Sequence, residues 1–87
     1  MSETQQKDRQ ALAHRIAAAV HWGLAARRMS AAALSNLTGL GPQNIRSLLR
    51  GDSNICDWLT VDYLADIGRA LELELCMEFR DAPEDRK

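Results

Sequence analysis

The feature that most constrains this chain is its punctuation between residues 30 and 51. Ser30 precedes the short run Ala31 to Thr38, Gly39-Leu40-Gly41-Pro42 interrupts it, and Gln43-Asn44-Ile45-Arg46-Ser47-Leu48-Leu49-Arg50 continues to Gly51. A serine hydroxyl at a helix start accepts from the free amides of the first turn. Glycine adopts the left-handed conformation that ends a helix without a Cβ clash. Proline at the first helical position gives up only an N–H that has no helical partner there. The spacing predicts two short helices, Ala31 to about Leu37 and Pro42 to Arg50, joined by a tight turn. Leu40 is the turn residue that plugs the core. Ile45, Leu48 and Leu49 form the buried stripe of the second helix, which leaves Gln43, Asn44, Arg46, Ser47 and Arg50 to solvent.

The flanking segments read as further helices. Residues 1–8 are polar and are expected to form a flexible arm. From Arg9 to Arg28, Leu12, Ile16, Ala19/Val20 and Gly23/Leu24 recur at steps of three and four, and the many alanines favour a helix. Residues 52–59 read as a loop with room for one helical turn. Thr60 is a second N-cap candidate, followed by Val61, Leu64, Ile67, Gly68 and Leu71 at helical spacing over 61 to about 71. The period then changes from helical to two. Leu73, Leu75, Met77 and Phe79 alternate with Glu74, Cys76, Glu78 and Arg80, the pattern of a strand with one buried face. Residues 81–87 are a polar tail.

Charge is unevenly shared. No Asp or Glu occurs from Arg9 to Gly51, a stretch that carries Arg9, Arg15, Arg27, Arg28, Arg46 and Arg50. From Asp52 to the end, ten acids stand against four bases, so a formal +6 faces a formal −6 and the net charge of −1 conceals the division. A basic half suits phosphates, while the acidic half is free to face away or to face a protein.

With 87 residues the chain is one small domain, near the size at which a single core becomes marginal, so a partner subunit would help. Its aromatics are only Trp22, Trp58, Tyr63 and Phe79, so the core must come mainly from aliphatic residues; the two tryptophans are expected in the core or an interface. No signal peptide and no bilayer-length apolar run are visible, which sets the expectation of a cytoplasmic protein with no membrane partner. Cys56 and Cys76 fit no metal spacing and read as free thiols. His14 and His21 are seven apart on a helix with no companion ligand and read as surface or packing residues. No metal, cofactor or enzyme activity is expected, since no nucleophile, base and orienter cluster together and no nucleotide-binding loop follows a strand.

Two short helices about a Gly39-Leu40-Gly41 turn have the layout of a helix-turn-helix. With Ser30 at the start of the first, Leu34 and small Ser35 within it, Ile45 and Leu48 in the second, Arg50-Gly51 at its end, and Leu64, Ile67, Gly68, Ala70 and Leu71 beyond, the stretch from about Leu24 to Leu73 resembles the phage-repressor-like Xre/Cro family. Three positions depart from that pattern. Ala31 replaces a frequent glutamine, Gly41 replaces the usual Ser or Thr cap, and Pro42 stands where a base-reading polar residue is common. The resemblance implies an all-α, lambda-repressor-like bundle of four to five helices with a helix-turn-helix, plus one C-terminal β-strand pairing across a dimer. The expected division is an arm at 1–8, the DNA-binding domain at 9–71, the dimerisation strand at 72–80 and a tail at 81–87.

The residue chemistry agrees with major-groove reading. Gln43 and Asn44 are able to pair with adenine and Arg46 with guanine, Ser47 to reach a base, and Pro42 to touch a thymine methyl. Arg27, Arg28, Ser30 and Arg50 are candidate phosphate contacts. The strand needs a partner for its backbone, and the simplest is the same strand of a second copy, with Leu73, Leu75, Met77 and Phe79 over a shared core. The expected function is therefore a homodimeric repressor of double-stranded DNA bearing a pseudo-palindromic operator. The run from Leu59-Thr60 to Leu71-Glu72-Leu73-Glu74-Leu75-Cys76 is also similar to HipB-type antitoxins. That likeness implies an alternative, an antitoxin that binds a toxin protein and autoregulates its operon.

Overall fold

Helices α1 (Glu3–Arg27), α2 (Ala31–Thr38), α3 (Pro42–Arg50), α4 (Ile55–Trp58) and α5 (Val61–Ala70) follow one another along the chain in this computed structural model. The structure describes residues 3–76, and among these there is no β-strand. The fold is all-helical, with α3 packed on both α1 and α2, α5 on α2, and α4 beneath α1 and α3. None of the described helices is long and apolar enough to cross a membrane.

The expected caps are present. Ser30 Oγ accepts from the Ala33 amide at 3.1 Å, and Thr60 Oγ1 accepts from the Tyr63 amide at 3.2 Å. Gly39 (φ 78°) and Gly51 (φ 71°) take left-handed conformations at the ends of α2 and α3. At Gly51 the closure is complete, since its amide donates to the Leu48 carbonyl and that of Asp52 to the Ser47 carbonyl. The ends of α1 and α5 use the same bonding pattern, but with Arg28 (φ 51°) and Glu72 (φ 57°) in the left-handed position.

Helix α1 departs from the sequence reading in two ways. It begins at Glu3, so the expected arm is helical within residues 3–8. Tertiary contacts hold this extension: Gln6 Nε2 reaches Ser53 Oγ at 3.4 Å, and Arg9 bonds both the Ser53 carbonyl and Asp57. In its first half the buried stripe is also turned by one residue, Ala13 and Ala17 standing inward of Leu12 and Ile16, while Val20, Gly23 and Leu24 are buried as expected. Ala13, Ala17, Val20, Gly23 and Leu24 face inward, while Leu12 is 52% exposed and Ile16 only half-buried. Close approach is the physical reason. A Cβ placed on Gly51 would lie 3.0 Å from His14 Cδ2 and 3.3 Å from Ala17 Cβ. The end of α3 therefore sits so near α1 that only small side chains fit between them.

Leu34, Ile45, Leu48, Ile55 and Leu71 are the largest fully buried side chains. Each contributes about 1.5–3 kcal/mol by leaving water. Ile55 comes from the segment read as a loop, and it is the residue that makes the single turn of α4 a part of the core. Leu49 is half-buried rather than fully buried, Val61 is 58% exposed, and Trp22, expected in the core or an interface, is 62% exposed and so outside the core, whereas Trp58 is half-buried, edge-on to Tyr63.

Beyond α5 the Leu73 amide donates to the Gly68 carbonyl at 2.7 Å, and Leu73 packs against the core. Residues 73–76 continue without regular structure. A strand needs a ladder partner, and within the single chain this part of the expected 72–80 strand has none among the described residues. Met77 and Phe79 lie outside the described residues.

Candidate nucleic-acid interface

The exposed side of α3 is set by the turn that precedes it. Ser35 Oγ donates to the Leu40 carbonyl at 2.5 Å. Thr38 Oγ1 donates to the Leu34 carbonyl at 2.8 Å and accepts from the Leu40 amide at 3.3 Å. Gly39 closes α2 on the Ser35 carbonyl, and Leu40, 4% exposed, drives into the core. Two hydroxyls of α2 thus bind both backbone groups of Leu40 and fix the turn against the end of α2. The sequence reading noted Ser35 only as a small residue and passed over Thr38. Their signal was there: hydroxyl residues three apart just before the helix-ending glycine.

The other end of α3 is fixed to α1. His21 Nε2 lies 2.8 Å from the Leu49 carbonyl. A carbonyl only accepts, so Nε2 carries the proton in this bond. Among the described residues no group of metal ligands forms.

With both ends held, Ile45 and Leu48 pin α3 to the core, and Pro42, Gln43, Asn44 and Arg46 stand together on the opposite, exposed side. Ser47 does not join them. It is 8% exposed, on the side of Ile45 and Leu48, so it is corrected from a base-reading candidate to a packing residue. Gly41 at the helix start supplies no side-chain cap, which leaves the first amides of α3 open.

The arginines divide into two groups. Arg50 pairs with Asp52 at 3.0 Å, and Arg27 pairs with Glu72 at 3.1 Å while also donating to the Glu72 carbonyl at 3.4 Å. Arg9 pairs with Asp57, whose hydrogen bond raises the guanidinium pKa above its ordinary value. Each of these arginines belongs to the acid-free stretch, and each partner belongs to the acidic half. The two halves of the sequence are therefore interlocked rather than separated. Among the described residues, Arg15, Arg28 and Arg46 have no carboxylate partner. Arg46 keeps its whole charge beside Gln43 and Asn44. Arg28 is exposed directly before the Ser30 cap, where the first amides of α2 lack intrahelical acceptors. Exposed ion pairs such as Arg50–Asp52 are worth only about 0–1 kcal/mol, so a phosphate would compete readily for Arg50 and Arg27.

The exposed face of α3 therefore carries Pro42, Gln43, Asn44 and Arg46, and Arg46 has no carboxylate partner among the described residues. Amide and guanidinium groups on one exposed helix face are able to make paired hydrogen bonds to planar polar groups. No family model matches the chain, and neither does any curated protein or solved structure compared with it.

Proposed function

We propose that this protein binds double-stranded DNA sequence-specifically, as a homodimer on a pseudo-palindromic site, with α2 and α3 acting as a helix-turn-helix and α3 entering the major groove. One observation carries the reading: Gln43, Asn44 and Arg46 share the exposed face of a helix whose opposite face, Ile45 and Leu48, is locked in the core. An α-helix fits the major groove, and amide and guanidinium groups on its first turns match the edges of adenine and guanine. Arg28, Ser30 and the open amides of α2 are assigned to the phosphates, with Arg27 and Arg50 joining after exchange of their carboxylates. Repression is the role that the resemblance to phage-repressor-like regulators implies for such a protein.

Selection from a random duplex library followed by fluorescence anisotropy tests the proposal. The expected outcome is an enriched inverted repeat whose affinity falls steeply with salt, as counterion release requires. Arg46→Ala should lose about 1–3 kcal/mol of discrimination at one base pair of each half-site. Arg28→Ala should weaken all duplexes alike. Failure to enrich any sequence, or equal losses at every position for Arg46→Ala, would overturn the reading.

A further inference from the structure

The turned stripe of α1 leaves an apolar trough on the molecule. It measures about 780 Å³ and runs between α1 and α5, walled by Leu12, Ile16, Leu64, Leu73 and Leu75. Leu12 and Leu75 are 52% and 41% exposed. Two charged residues stand among these apolar ones, Arg15 on α1 and Glu74 on the segment after α5. Neither has a partner of opposite charge among the described residues.

We infer that a second copy of this chain covers the trough, with Arg15 of each subunit meeting Glu74 of the other. This rests on the homodimer in the proposed function and specifies which surface forms it. The argument is one of charge complementarity. In a two-fold interface the same patch meets itself, so residue i contacts j and j contacts i. A patch with one cation and one anion is complementary to its own rotated copy; a patch with two like charges would repel it. An apolar surface rimmed by unspent charges is also the usual anatomy of an association site. The chain leaves the described structure at Cys76, on the wall of this trough.

Sedimentation equilibrium on the full chain, without DNA, tests the inference with Arg15→Glu, Glu74→Arg and their equimolar mixture. The wild type is expected to be a dimer. Each single variant brings like charges together twice per dimer, and the dimer should weaken by about tenfold or more. Mixing the two variants restores both opposite-charge pairs, and a heterodimer should form within about threefold of wild-type affinity. Rescue in trans is the decisive readout, because a charge acting only within its own chain would not produce it. Leu12→Ser probes the apolar floor independently, and it should weaken the dimer with an unchanged thermal melt at low concentration. A wild type that stays monomeric, which would be the result if the chain's own residues 77–87 filled the trough, overturns the inference. So do single variants that dimerise like the wild type, or a mixture no tighter than its components. Dimerisation with trans rescue but no DNA selectivity would instead sink the DNA-binding reading and leave this interface standing.

Discussion

The α2–α3 unit and the segment that follows α5 begin from similar local chemistry and end differently. Both contain a helix closed by a left-handed residue and a bond back into the last turn. In the first, the next residues are consumed at once: Leu40 enters the core, Ser35 and Thr38 bind the turn, and Pro42 restarts the chain as helix. In the second, Leu73 is anchored by Gly68, but Leu75 and Cys76 remain exposed and residues 73–76 have no ladder partner among the described residues. The comparison separates a region whose hydrogen bonds and apolar groups close on themselves from one that, among the described residues, leaves apolar side chains exposed. The first holds the exposed face of α3 in place; the second lines the apolar trough beside α1.

The largest way to break the contrast is Leu48→Ala. Its side chain is fully buried under α3, so the truncation should cost about 2–5 kcal/mol, read as a fall in the denaturation midpoint. Gly51→Ala comes next. It combines φ 71° with a Cβ position 3.0 Å from His14 and 3.3 Å from Ala17, and it should cost about 2–3 kcal/mol. A loss below that of an ordinary surface substitution would show that α3 is not held tightly against α1. Ser30→Ala removes the cap of α2 and should cost about 1 kcal/mol by chemical denaturation.

The smallest effects sharpen the comparison rather than break it. Arg28→Gly relieves a left-handed non-glycine that has no ion pair among the described residues. It should stabilise the protein by about 1 kcal/mol, a rise of about 4–8 °C in Tm for a domain of this size. Glu72→Gly relieves the same strain but gives up the carboxylate pair with Arg27, keeping the bond from Arg27 to the backbone carbonyl. Its gain should be smaller by the worth of an exposed pair, about 0–1 kcal/mol. Equal gains from the two would mean that Arg27–Glu72 contributes nothing to anchoring the segment after α5.

Much of the candidate interface was legible because its signals are local. A serine before an apolar run, a glycine where φ must be positive and a proline at a helix start each act through bonds within a few residues. Ser30, Gly39, Pro42 and Gly51 therefore stand where their chemistry puts them. Ser47 was misplaced because exposure on a nine-residue helix depends on how many neighbours close over it. In α3 the core reaches round far enough to bury Ser47 along with Ile45 and Leu48. Ile55 was missed because four helical residues carry no measurable period.

By itself, the sequence determined α2, α3 and α5, the Ser30 and Thr60 caps, the turn at residues 39–41 and the exposure of Pro42, Gln43, Asn44 and Arg46, since each follows from short-range sterics and hydrogen bonding. Only the tertiary structure decided the phase of α1. Periodicity gives the spacing of an apolar stripe but not which of two adjacent stripes turns inward. The near contact of Gly51 with Ala17 placed Ala13 and Ala17 inward in preference to Leu12 and Ile16. That choice left Leu12 and Ile16 beside Leu73 and Leu75 and opened the trough. Tertiary packing likewise decided which arginines remain free, because Arg9 and Arg27 meet carboxylates more than forty residues away, a distance over which no local pattern in a sequence carries information.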